Sequence, residues 1–239
     1  MSTLIENVSK VTAAHAALKE AIASKGVAVP EGTKLTDMPA LVEQISTEPV
    51  PTNPRAAFAG DNSTSLVVPK TLVVVDMTAA TNISYFFSYC KSLASLTLPA
   101  GFGQKATNPR CCFYNCTSLT SLTLPAGFGQ KATTLSGCFS HCESLASLTL
   151  PEGFGQAATN LRGCFSYCTS LTTITGNPNF KATVDISPCI KLTHDSLMVV
   201  INGLQTVTTA QTIKLGTTNL AKLTDEEKKV ATDKGWTLA

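Results

Sequence analysis

The phrase Phe-x-x-Cys-x-Ser-Leu occurs four times, starting at Phe87, Phe113, Phe139 and Phe165, so the chain repeats itself every 26 residues. A unit that short cannot own a core. Each unit must bury its apolar face against the next, and the units must stack. The expected fold class is an α/β solenoid. Stacks of this kind present long, regular surfaces, which places binding ahead of catalysis before any single residue is weighed.

Within each period a leucine pattern recurs. Leu93-x-x-Leu96-x-Leu98 is followed by Leu119-x-x-Leu122-x-Leu124 and Leu145-x-x-Leu148-x-Leu150. Weaker copies are Leu171-x-x-Ile174 and, upstream, Leu72-x-x-Val75-x-Met77. The last two apolar positions lie two apart, so they point inward from one short strand, and the first turns in from the preceding corner. Pro99, Pro125 and Pro151 end the strands, because proline brings no N–H to a ladder. Gly101-Phe102-Gly103, with copies at 127–129 and 153–155, predicts a tight turn that returns its Phe to the core.

Leu-x-x-Leu-x-Leu is the leucine-rich-repeat signature. The full unit, from Phe113-Tyr114-Asn115-Cys116 to Leu122-Thr123-Leu124-Pro125, resembles the bacterial leucine-rich repeats of the BspA-like surface-antigen type. The resemblance covers residues 72–192. It implies a fold and a role in adhesion or binding. It names no ligand, because fold does not fix function.

Composition fits this reading. The chain is 44% hydrophobic and only 14% charged, which Ser/Thr-rich turns in a stack explain without a membrane. No run of 18 apolar residues occurs, so no membrane span is expected. The formal net charge is +2 and the basic residues are scattered, so no nucleic-acid partner is expected. Residues 1–10 lack a basic leader and an apolar stretch, so no signal peptide is expected.

The nine cysteines fall mostly into ladders. Cys90, Cys116, Cys142 and Cys168 form one, and Cys112, Cys138 and Cys164 a second. The spacing of four between Cys112 and Cys116 would suit a metal, and neighbouring coils would bring ladder cysteines within disulfide reach. Buried free thiols are the stronger expectation, because one coil position recurs and free cysteine packs as a small apolar residue. No cofactor and no metal are expected.

Four segments are expected: a helical N-terminal module over 1–45, a Pro-rich linker over 46–57, the repeats over 58–192 and a C-terminal αβ cap over 193–239. In the first, Leu4, Val8, Val11, His15, Leu18 and Ile22 alternate at spacings of four and three. That is the seam of a coiled coil, or a helix face packed on its own chain. The seam reading predicts a homo-oligomer formed through residues 1–45. A second helix is expected over 37–45. Lys25-Gly26-Val27, Pro30, Leu35, Pro39-Ala40-Leu41 and Ile45 resemble the N-terminal modules of gut-bacteriophage tail-fibre and minor tail proteins. That likeness implies other virion tail proteins as partners, with assembly in the host cytoplasm.

At the end of the repeats, Thr183–Leu192 reads as a shortened repeat, and the cap follows it. Thr193 opens a helix near 194–204, and 212–215 alternates like a strand. Thr224 starts a capping-box helix to about Asp233, and Trp236-Thr237-Leu238 returns as a strand. The runs Lys191–Leu197 and Asn219–Thr224 resemble the closing module of leucine-rich proteins from gut bacteria and their phages.

No catalytic constellation is visible. His15, His141 and His194 are the only histidines. Asp195 and Ser196 follow His194 directly on a helix start, where a triad cannot converge. No enzyme is expected. Outward strand residues such as Ser95, Thr97, Ser121 and Thr123 form a small-hydroxyl face. The better candidates for contact are the corner residues Tyr89, Lys91, Tyr114, Asn115, Thr117, His141, Glu143, Tyr167 and Thr169, which vary in size and charge. The expected function is noncatalytic binding to a bacterial surface protein or glycan, as a phage tail-associated protein in a virion. The alternatives are an extracellular BspA-like adhesin and a purely structural virion component.

Overall fold

The computed structural model describes residues 65–67 and 80–239, all within the second of the chain's two units, Thr52–Ala239. The seam Leu4, Val8, Val11, His15, Leu18 and Ile22, the second helix, the linker and the Leu72–Met77 run lie outside the described residues. Short parallel strands come first: β1 (Ser65–Val67), β2 (Ser95–Thr97), β3 (Ser121–Thr123), β4 (Ser147–Leu150) and β5 (Thr173–Gly176). β3, β4 and β5 pair in register, Ser121 to Ser147 to Thr173, one sequence period per step. This is a solenoid-like repeat fold.

Two features depart from a uniform repeat. The strand paired to β2 is β1, with Ser65 opposite Ser95, a step of 30 residues instead of 26. The reason is legible afterwards: Ser65-Leu66-Val67-Val68-Pro69 copies Ser95-Leu96-Thr97-Leu98-Pro99, including the closing proline that the Leu72–Met77 run lacks. Strand register follows the two-residue pleat and its terminator, not apolar content alone. Second, β2 and β3 belong to different sheets. The Thr120 N–H still reaches the Ala94 carbonyl at 3.2 Å, but beyond it a groove of about 420 Å³ opens.

The core is built of columns. Phe87, Phe113, Phe139 and Phe165 stack nearly parallel at 5.5, 5.6 and 5.8 Å between centroids. Phe102, Phe128 and Phe154 form a second column at 6.0 and 6.5 Å, closed edge-on by Phe180. All eight rings are fully buried, each burial stabilising by roughly 1.5–3 kcal/mol. The Gly-Phe-Gly turn makes the second column possible. Gly129 has φ +73°, and a Cβ there would lie 2.6 Å from the Phe154 ring.

On the return side the backbone satisfies itself by alternation. The N–H groups of Tyr85, Phe87 and Tyr89 donate to the carbonyls of Arg110, Cys112 and Tyr114 in the next coil, at 2.9, 2.8 and 2.7 Å. Those of Phe86, Ser88 and Cys90 turn back to residues three earlier. The next coils repeat the scheme, which leaves few orphaned backbone groups in a segment with neither helix nor strand. Threonines reinforce it: the hydroxyls of Thr107, Thr133, Thr159, Thr120 and Thr172 each donate to a carbonyl 26 residues earlier.

The C-terminal part closes the stack. Helix α1 (His194–Asn202) starts at Thr193, whose hydroxyl accepts from the Ser196 N–H. The buried Ser196 hydroxyl accepts from Ile174 N–H at 3.0 Å and donates to the Thr172 carbonyl at 3.2 Å, so it covers the edge of β5. Lys234 Nζ donates to the Asn202 carbonyl at 2.7 Å, satisfying the other helix end. β6 (Val184–Asp185), β7 (Gln211–Lys214) and β8 (Trp236–Leu238) form a parallel sheet in that order. Helix α3 (Asp225–Asp233) carries the full capping box of Thr224 and Glu227. The sequence missed the short α2 (Gly216–Leu220), whose buried Asn219 donates to the Ile186 and Cys189 carbonyls at 3.3 Å each. It also ran α1 past Gly203, where a Cβ would come within 2.7 Å of the Pro178 carbonyl oxygen.

Candidate interaction surface

The alternating bonds of each return segment need two residues with left-handed backbone. One row is Tyr85, Cys111, Gly137 and Gly163; the other is Tyr89, Asn115, His141 and Tyr167, and φ lies between 53° and 64° in both. Glycine adopts this conformation freely and asparagine readily, whereas other L residues are strained by roughly 1–2 kcal/mol. The second row nevertheless holds Tyr, His and Tyr.

Those side chains meet. Tyr89 contacts Tyr114 edge-on at 5.3 Å, Tyr114 contacts His141 edge-on at 5.6 Å, and His141 stacks flat on Tyr167 at 4.1 Å with 12° between planes. One aromatic stripe therefore crosses four coils. At the second coil the left-handed position is Asn115, and the ring comes instead from its neighbour Tyr114. Tyr89 and Tyr167 are 48% and 57% exposed, the largest exposed aromatics among the described residues. His141 and Tyr167 cover one face of each other, while the two edge-on contacts leave ring surface open beside the phenol hydroxyls and the imidazole. Burial and the neighbouring Tyr89 push the Tyr114 phenol up.

Charges flank the stripe. Lys91 Nζ lies 6.0 Å from the Tyr89 ring centre, and Glu143 Oε1 lies 3.6 Å from His141 Nδ1. The Thr117 hydroxyl is taken up by the Lys91 carbonyl at 3.3 Å. Thr169 is exposed, and Asn115 is half-buried with its N–H on the Ser140 carbonyl at 2.8 Å. Of the nine corner residues, the structure thus gathers Tyr89, Tyr114, His141 and Tyr167 into one surface with Lys91 and Glu143 beside it. Thr117 and Asn115 serve the stack. The left-handed row was detectable in the sequence, since Asn115, Gly137 and Gly163 stand at repeat positions that tolerate φ > 0.

The cysteine ladder does other work. The thiols of Cys116, Cys142 and Cys168 donate to the carbonyls of Phe87, Phe113 and Phe139 in the preceding coil, each at 3.1 Å. Burial pushes the Cys142 thiol up to about 12 and raises Cys112, Cys138 and Cys168. Such thiols are poor nucleophiles and poor metal ligands. Among the described residues no three His, Cys, Asp or Glu side chains converge as metal ligands do. His194, apart from the stripe, bonds Glu227 Oε1 at 2.8 Å and ties α1 to α3.

Residues 52–183 match, in six copies, the sequence profile of the BspA type leucine rich repeat region. No match was found among curated proteins or among solved structures.

Proposed function

Because the chain belongs to the BspA-type leucine-rich repeat family, we propose that it is a noncatalytic binding protein whose contact surface is the stripe Tyr89, Tyr114, His141 and Tyr167. The observation that carries this reading is backbone strain. Three bulky rings are kept where glycine or asparagine would be less strained, and strain of this kind is retained at positions where the side chain serves a purpose. Exposed aromatic surface carrying phenol hydroxyls suits the core of a protein interface, which favours a protein partner. The site of action is a bacterial cell surface, reached from outside the cell.

The test combines Tyr89→Gly, His141→Gly and Tyr167→Gly. Relief of left-handed strain offsets lost ring packing and added chain entropy, so stability changes by less than about 1 kcal/mol. Binding of the fluorescently labelled protein to gut-bacterial cells is lost in the triple variant. It is also lost when the cells are first treated with protease. Equal binding by the triple variant would refute the stripe, and protease-insensitive binding would refute the protein partner.

The finer reading, a phage tail-associated protein, is supported by the likeness of Lys25-Gly26-Val27 and Pro39-Ala40-Leu41 to tail-fibre modules. It predicts a stable oligomer of the full chain that Val11→Asp and Leu18→Asp dissociate, as read by light scattering. A full chain that is monomeric leaves the adhesin reading.

A further inference from the structure

Lys91, Thr117, Glu143 and Thr169 share one repeat position, two residues after the left-handed ring position. Only the first and third carry charge, and the signs are opposite. Both side chains are exposed, and both lie against the stripe, Lys91 at Tyr89 and Glu143 at His141. Thr117, between them, spends its hydroxyl on the Lys91 carbonyl. The other basic residues of these coils are Arg110 and Arg162, five positions before Asn115 and Tyr167, and Lys105 and Lys131, two residues after Gly103 and Gly129.

The two charges are separated by two coil steps. Neighbouring coils lie about 4.8 Å apart, so the separation along the stack is roughly 10 Å. An extended polypeptide in the polyproline II form advances about 3.1 Å per residue and returns to the same face every third residue, so the same distance spans about three residues. We infer that the stripe takes an extended polypeptide lying along the stack, with an acidic side chain beside Lys91 and a basic one beside Glu143, three residues apart. This rests on the stripe being the contact surface. The phenol hydroxyls hydrogen-bond the segment and the rings supply apolar contact. The two charges contribute little affinity at such exposure, but they fix which way the segment runs.

The experiment pans a displayed library of random dodecapeptides against the full chain. Three forms are compared: wild type, the charge-swapped Lys91→Glu/Glu143→Lys, and the triple glycine variant, each checked for folding by circular dichroism. Wild type enriches peptides with opposite charges three residues apart in one order, and the swapped form enriches the reversed order. Peptides selected on wild type bind the swapped form roughly five- to tenfold more weakly. Enrichment without that spacing, or with the same order on the swapped form, overturns the inference. If such peptides are still lost on the glycine variant, the stripe itself stands. Enrichment that survives the glycine substitutions, or no enrichment at all, overturns the stripe and the inference together.

Discussion

Residues at one repeat position share an environment, so a single side chain can be judged against its own copies. The thiols show this. Eight of the nine cysteines are buried, and Cys111 alone is partly exposed. A polar aromatic disulfide reagent is expected to label Cys111 first and the other eight only on unfolding. Fast labelling of several thiols in the native protein would contradict the buried ladder. Glycines can be judged the same way. Gly129→Ala forces a Cβ to within 2.6 Å of the Phe154 ring at φ +73°, and the loss is expected to be about 2–4 kcal/mol by urea unfolding. Thr133→Ala, which removes one exposed hydroxyl bond to the Thr107 carbonyl, is expected to cost about 1 kcal/mol or less.

Elements here are short, and most of their definition comes from capping and neighbours. β2 and β3 have three residues each, and α1 begins where Thr193 and Ser196 meet the open edge of β5. The link between α1 and α3 carries a pH dependence. His194 is held above its ordinary 6.5, first by its bond to Glu227, and Glu227 is held below its ordinary 4.5, first by the Thr224 N–H. The raised histidine stabilises fully below about 6.5, and that stabilisation is lost as pH rises through the higher folded-state value. The lowered carboxylate stabilises above about 4.5 and loses its effect as pH falls through the folded-state value. The stability difference between wild type and His194→Gln is therefore expected to peak between about pH 4.5 and 6.5 and to shrink on either side. A difference independent of pH would show that the pair does not act as a charged link.

At the scale of the whole molecule, stacking makes stability a sum of neighbour interfaces. Removing residues 121–146 takes out one period and joins Thr120 to Ser147, which occupies the register position of Ser121. The shortened protein is expected to fold with a lower melting temperature, because the phenylalanine, cysteine and threonine ladders all close again. Removing residues 121–133 takes half a period, misaligns every ladder and is expected to give no cooperative melting transition. Two similar melts would mean that the coils are not held by register.

The sequence by itself determined the period, the inward Leu, Phe and Cys positions, the proline strand ends, and the caps at Thr193 and Thr224. Each is written in local chemistry: alternation, a missing N–H, a hydroxyl before a helix. It also marked the corner residues, because their variation stands out against a fixed frame. The tertiary structure decided which of them meet. Tyr114 joins the stripe although it occupies a different repeat position from Tyr89, since its ring meets both Tyr89 and His141 at the coil where the left-handed position holds Asn115. The strain at Tyr89, His141 and Tyr167 arises only when N–H groups must alternate between coils. The break between β2 and β3 follows from pairing between coils, which no local pattern encodes, and the same pairing decided that Ser65–Val67, a copy of Ser95–Thr97, is the strand beside β2.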